Sequence, residues 1–287
     1  MRAIPAALRH DPELFHALLH VEGRHATTDD LALVHDAHYI ARVRSAAEAG
    51  AATQTVTHLD PDTVVSGGSW DAATAAAGCV LDAVDMAVDG RALRSFCAIR
   101  PPGHHALHDR AMGFCLFGNV ALAARWGRRH HSMDRVLIVD WDVHHGNGTQ
   151  ALVESDAGVH YVSMHQWPWY PGTGAADDRG THANVWNVPL PAGLARARYT
   201  GALLEAVDRA AAGFTPDLVL VSAGFDSLRG DPLGGFTLEL EDIDLLTREL
   251  KSRADLWCGG RVVSALEGGY AVAQTAAACV AHLRAMV

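Results

Sequence analysis

Long apolar runs are missing from this chain of 287 residues. Nowhere does an uncharged hydrophobic stretch approach the roughly 18 to 20 residues that a spanning helix requires. The opening MRAIPAALRH also has no continuous apolar segment behind Arg2 of the kind a secretory signal carries. Both absences point to a cytoplasmic protein with no membrane partner. Positive charge is short as well: 23 basic residues face 33 acidic ones, a formal charge of −10, which leaves no electrostatic footprint for gripping a phosphate backbone. Direct binding to nucleic acid is therefore not expected. The acidic balance keeps a protein soluble and suits cationic substrates such as lysine-rich peptides or polyamines. Paired cysteine spacings are lacking too. Cys79, Cys97, Cys115, Cys258 and Cys279 form no CxxC, and they read as small buried hydrophobes in a reducing compartment. No repeat, low-complexity tract or linker divides the chain, so residues 1–287 read as one domain. With 49% hydrophobic and 20% charged residues, disorder and collagen are excluded.

What the chain has in unusual number is histidine, 18 in all. Their setting is an alternation of short β-rich runs with longer Ala-rich stretches from residue 93 onward, the pattern of a parallel sheet. Strands are expected at Ser95 to Ile99, Arg135 to Asp140, Val159 to Met164, Asp217 to Ser222 and Val262 to Glu267. They are apolar throughout, as strands covered on both faces by helices are. Helices are expected at about 70–88, 117–131, 197–212, 240–253 and 271–286. Thr28, with Asp29 and Asp30, reads as the cap of a helix through LALVHDAHYIARV, and Arg2, Ile4 and Leu8 as part of an opening amphipathic helix. The fold class is α/β, three layers with a mainly parallel sheet.

In open α/β sheets ligands bind beyond the carboxyl ends of the strands. The segments there are RPPGHHA (Arg100 to Ala106), WDVHHGNGT (Trp141 to Thr149), AGFDSLRGDPLGG with Asp226, and GGY ending at Tyr270. In an extended chain Asp140, Asp142 and His144 point to one side, and Asp226 would add a third carboxylate. Clustered carboxylates protonate unless a cation neutralises them, so a divalent metal is the natural partner. Oxygen and imidazole donors without thiolate suit zinc, iron(II), cobalt or manganese. Any one of these residues alone would ordinarily be a satisfied polar group at a strand end; the whole run DWDVHHGNG would not. His104 and His105, behind a stiff Pro-Pro-Gly turn, are suited to proton transfer. Tyr270 could donate to a developing oxyanion. Arg128, Arg129, His130 and His131 read as the polar end of a helix, and Trp167 and Trp169 as lining a substrate rim or, by default, packing beneath the Pro171-Gly172 turn.

PPGHHA, MGFC (Met112 to Cys115), DWDVHHGNGT, YPGTG (Tyr170 to Gly174), GFDSLRGDPLGG and LEGGY occur in this order across nearly the whole chain. In this the chain resembles the histone deacetylases and acetylpolyamine amidohydrolases, of a class II-like bacterial type. The resemblance implies the arginase/deacetylase fold and a zinc held by Asp142, His144 and Asp226. It implies amide hydrolysis by water activated at the metal, with Tyr270 polarising the carbonyl, His105 as general base and then acid, and His104 tuning the site through Asp140. His105 would pair with Asn147, a neutral partner that leaves it less basic than Asp would. A potassium site at Asp140 and Ser163 is also implied, as are substrate contacts at Gly113, Phe114, Tyr170 and the rim residue Leu233.

Three departures accompany the resemblance. The family's usual first strand and His-Pro-Glu-type loop are absent ahead of the opening helix, so part of the rim is expected to be missing; either the true start lies further upstream or the protein works with an uncovered sheet edge. Gly118 stands where Asn is common. Leu233 stands where the polyamine-selective member carries an acidic residue, which argues against that specificity. The expected activity is removal of an acetyl or short acyl group from acyl-lysine in a peptide or protein. The alternatives are acetylpolyamine or another small N-acyl amine as substrate, or a truncated, non-catalytic acyl-binding module.

Overall fold

A computed structural model of the chain describes residues 2–287. Its centre is a six-stranded sheet, every neighbouring pair parallel, built from β3 (Arg94–Cys97), β4 (Val136–Asp140), β5 (Val159–Gln166), β6 (Val185–Leu190), β7 (Leu218–Ala223) and β8 (Val262–Leu266) in the order β3-β8-β7-β4-β5-β6. A separate two-stranded antiparallel hairpin joins β1 (Thr57–His58) to β2 (Val64–Val65). The helices are α1 (Ala3–Arg9), α2 (Pro12–Ala17), α3 (Thr28–Leu31), α4 (Ala37–Thr53), α5 (Ser69–Val88), α6 (Asn119–His131), α7 (Asn147–Val153), α8 (Arg196–Ala211), α9 (Leu240–Cys258) and α10 (Val272–Met286). The three-layer α/β architecture read from the sequence is the one observed.

The central strands are apolar throughout because each face meets a different helical layer. Val136, Ile138, Leu218, Leu220, Val263 and Ala265 pack with α5 and α6 on one side. The intervening Leu137, Val139, Val219, Val221 and Val262 pack with α8, α9 and α10 on the other, as the two-residue period of a strand requires. Leu137, Ile138, Val219 and Leu220 are fully buried, each contributing about 1.5–3 kcal/mol relative to exposure. The layers leave only the strand ends open for chemistry.

Several local expectations are corrected. Thr27, not Thr28, caps the early helix: its side chain accepts from the Asp30 amide while the Asp30 carboxylate accepts from the Thr27 amide. That helix lasts a single turn, and the longer one begins afresh at Asp36, whose carboxylate accepts from the His38 and Tyr39 amides. One capping residue thus became two, because Asp36 offers a second N-terminus. β6 was not expected; its run VWNVPL carries Asn187 and Pro189, which only an edge strand accommodates. α7 was not expected either, and α9 runs to Cys258 rather than residue 253. Among the described residues no strand pairs with the outer edge of β3, and a cavity of about 690 Å³ lined by Leu8, Leu18, Leu93 and Phe96 lies beside it. All five cysteines are free, and no described helix is long and apolar enough to cross a membrane.

Candidate metal centre and active site

Four loops meet at the carboxyl ends of the central strands, carrying residues 100–106, 141–149, 224–235 and 267–270. The first is set by Pro101 and Pro102, and by Gly103, where a Cβ would stand 2.6 Å from the Asn119 amide. The second leaves β4 at Asp140 and turns at once. Here the extended-chain expectation fails, since Asp142 and His144 lie in bends rather than in a strand. The turn separates Asp140 from the cluster and hands it to His104.

Asp142, His144 and Asp226 come together, each buried, with one candidate ligand atom apiece all within 4.8 Å of one another. His144 Nδ1 lies 2.9 Å from Asp142 Oδ1 and 3.2 Å from Asp226 Oδ2. Asp226 Oδ2 is buried without a hydrogen-bond partner, whereas Asp226 Oδ1 accepts from the Val143 amide at 2.9 Å. Asp142 Oδ2 accepts from the Gly268 amide at 2.8 Å. Without a cation the cluster is electrostatically frustrated. Burial and the charge of Asp142 push the Asp226 carboxyl up to about 7. His144 is raised to about 10, because both carboxylates outweigh the burial that opposes its charging. An orphaned carboxylate oxygen, a second carboxylate and an imidazole, with no thiolate nearby, fit a borderline divalent ion with open positions. The residues present therefore suit zinc or iron(II).

Beside this cluster the tandem histidines have different partners. His104 Nδ1 faces Asp140 Oδ2 at 3.1 Å, and Tyr161 donates to the same oxygen at 2.8 Å. Burial opposes charging His104, but Asp142 and Asp140 outweigh it and raise its pKa well above the ordinary value. His105 Nδ1 donates to Asn147 Oδ1 at 2.7 Å, an assignment fixed by Asn147 Nδ2 donating to Met112 Sδ at 3.3 Å. That leaves Nε2 free to accept a proton. Burial, then the neighbouring His104 cation, holds the His105 pKa well below the imidazole range. Adjacent histidines are thus pushed in opposite directions, His104 toward the cation and His105 toward the neutral base.

Tyr270 stands on the loop after β8, its amide donating to Asp231 Oδ2 at 2.7 Å. Its phenol pKa is pushed up by burial and by Asp142 and Asp226, so it stays a donor. Phe114 meets the Tyr270 ring edge-on at 5.9 Å, and Tyr170 meets His105 edge-on at 5.1 Å. Both aromatics are partly exposed, at 43% and 37%, as wall residues of an open site would be. At Gly113, with φ +57°, a Cβ would press on the His105 ring, so only glycine fits. Leu233 is exposed and its amide donates to Asp231 Oδ1 at 2.9 Å. Ser163 lies opposite Asp140 in the β4–β5 register and hydrogen-bonds His165 Nδ1 at 2.9 Å.

Trp167 and Trp169 were expected to pack beneath a turn. Both are exposed, and the Trp169 indole donates to the Leu233 carbonyl at 2.9 Å. The basic run at 128–131 is the end of α6, where Arg128 and His131 pair with Asp156 and Asp85. Sequence reasoning missed Asp62, whose carboxylate accepts from the Gly113 amide at 3.0 Å. Nothing in the sequence links the β1–β2 hairpin to that loop. It also missed Asp231, which accepts from the Tyr270, Ala271 and Leu233 amides although its motif was in view.

The class defined by this arrangement is an α/β protein with a two-carboxylate, one-histidine metal cradle and an adjacent histidine pair. Comparison with known proteins is more specific. A family model described as a histone deacetylase domain matches residues 1–286. An uncharacterized protein of Synechocystis sp. is 42% identical over 253 residues, covering 88% of this chain and 80% of its own length. A histone deacetylase-like amidohydrolase of Pseudomonas aeruginosa is 38% identical over 253 residues, covering 86% of this chain and 65% of its own. The crystal structure of the HDA15 HD domain superposes with a TM-score of 0.92 at 36% identity, covering 99% of this chain and 79% of that one. The chain belongs to the histone deacetylase family.

Proposed function

We propose that this protein is a zinc-dependent amidohydrolase that removes an acetyl or short acyl group from an amine, with acyl-lysine in a peptide or protein as its substrate. The observation that carries this reading is the single cluster formed by Asp142, His144 and Asp226 beside His104, His105 and Tyr270. Asp142, His144 and Asp226 would hold the zinc. When bound, that ion supplies Lewis-acid polarisation of the amide carbonyl and makes water nucleophilic at neutral pH.

The chain's own residues do the rest. His105, neutral at Nε2 and anchored through Nδ1 by Asn147, removes a proton from the attacking water and returns it to the leaving amine nitrogen. His104, held as a cation by Asp140, keeps His105 from retaining that proton. The Tyr270 hydroxyl donates to the oxygen that gains negative charge. Phe114 and Tyr170 flank the alkyl chain of the substrate, Gly113 lets the wall approach His105, and Leu233 meets what lies beyond the mouth. Asp140 and Ser163 would hold a structural potassium ion. An apolar Leu233, its carbonyl bonded by the Trp169 indole, presents no carboxylate of its own to a second ammonium, which supports acyl-lysine over acetylated polyamines. Five free cysteines fit a reducing compartment such as the cytoplasm.

The test is metal content by mass spectrometry together with hydrolysis of an acetyl-lysyl peptide and an acetylated polyamine, for the wild type and Asp226→Ala. One zinc per chain and peptide turnover, both lost in the variant, is the expected result. A folded, metal-loaded wild type that hydrolyses neither compound refutes the reading.

A further inference from the structure

We propose that Glu267 is a positioning residue, one that fixes the tandem-histidine loop against the metal cradle through backbone hydrogen bonds. The proposal rests on the reading of His105 as general base and deepens it. Glu267 directly follows β8 and is 6% exposed. Its Oε2 accepts both the Gly103 amide, at 2.6 Å, and the His104 amide, at 3.1 Å, while Oε1 accepts from the Ser222 hydroxyl at 3.3 Å. Two amide donors converge on one oxygen from a loop more than 160 residues away in sequence.

The following three residues give this contact its importance. The Gly268 amide donates to Asp142 Oδ2 at 2.8 Å, and Tyr270 follows two positions later. One short segment therefore touches the histidine loop, a metal-cradle carboxylate and the mouth of the site. On its other face the His104 carbonyl accepts from the Thr149 amide at 3.0 Å. The His104 peptide is thus gripped from both sides, with Glu267 supplying one grip alone. Next to it lies a cavity of about 280 Å³ lined by Arg100, Pro102, Glu267 and Tyr270. Without the Glu267 side chain, the Pro102–His104 backbone faces that cavity. Water can replace the lost hydrogen bonds there, but it cannot hold the loop in place.

A carboxamide oxygen accepts two amide protons as a carboxylate oxygen does, and its NH₂ can donate to Ser222. Glu267→Gln therefore preserves the grip, whereas Glu267→Ala abolishes it. A displacement near 1 Å in a proton-transferring group costs on the order of 100-fold in rate. Expected for Glu267→Ala is a kcat about 100-fold below wild type, with KM and zinc content little changed. Glu267→Gln is expected to return kcat to within several-fold of wild type. Should the alanine variant not fold, Glu267→Asp takes its place, since a carboxylate one methylene shorter falls short of both amides. Hydrogen exchange of the amides in residues 101–106, read by mass spectrometry, gives a readout independent of turnover. Exchange there should quicken in the Ala or Asp variant and stay slow in the Gln variant. Wild-type kcat in Glu267→Ala, a Gln variant as slow as the Ala variant, or unchanged exchange would each overturn the proposal. If the wild type hydrolyses no N-acyl amine, the functional reading has failed, and the exchange pattern decides the role of Glu267 by itself.

Discussion

Replacing Gly268 with alanine should destroy metal binding without altering a single ligand. A Cβ at this position would stand 2.6 Å from Asp142 Oδ2 and closer still to Asp226 Oδ2. Non-bonded contacts settle at about 3.5 Å or more, so at least one of the two carboxylates must move by roughly 1 Å. The backbone cannot retreat instead, because the Gly268 amide is tied to Asp142 Oδ2 and its carbonyl accepts from the Phe225 amide at 2.8 Å. Metal–oxygen bonds to carboxylates tolerate about 0.2 Å, so the displacement exceeds the tolerance several-fold. Overpacking of this kind costs about 1–3 kcal/mol of stability, a fall in Tm of about 2–10 °C for a chain of this size. The assay is zinc titration of metal-free protein by calorimetry, alongside a thermal melt. Gly201→Ala, in the exposed face of α8 with nothing within 4 Å of the added carbon, is the control. It should bind zinc as the wild type does and gain up to about 1 kcal/mol. A folded Gly268→Ala protein with wild-type zinc affinity would refute the steric reasoning.

Three further outcomes are expected. Tyr270→Phe should lower kcat by about 100- to 1,000-fold with little change in KM, the cost of one oxyanion donor; a fall in KM-dependent binding alone, seen in steady-state kinetics, would contradict that role. Asn147→Asp sets a carboxylate against His105 Nδ1 and raises its pKa, so the acid limb of the kcat/KM profile should move to higher pH; a limb that stays put or moves down shows that His105 is not the base. Acid should weaken the metal-free fold: burial holds His35 and His165 at about 4 and His145 and His282 at about 3. Below about pH 6.5 the unfolded chain takes up those four protons and the native state does not, so stability is full above that pH and lost as pH falls toward 4. Asp226 and Glu267, raised to about 7, bind protons in the native state first and offset part of the loss. The net direction is a loss of stability as pH falls below about 6.5, and urea midpoints that stay level between pH 6.5 and 5 would disprove it.

The sequence by itself determined the layers and the chemical inventory of this protein. β4, β7 and β8 were legible because strands buried on both faces must be apolar at every position, and α5, α6, α8 and α10 because their apolar residues repeat on one side. Asp142, His144, Asp226, His104, His105 and Tyr270 were legible because they stand in short ordered motifs behind those strands. Only the tertiary structure decided which oxygen faces which nitrogen. It showed that the chain turns after Asp140 and so splits one row of acidic residues between His104 and the metal cradle. It also brought Glu267, Asp231 and Asp62 to the backbones of loops distant in sequence, and tied the Trp169 indole to the Leu233 carbonyl. Periodicity and motif spacing report neighbours along the chain and the faces they share. Hydrogen bonds from a carboxylate to a remote amide leave no such periodic trace, because the amide donor is the same in every residue.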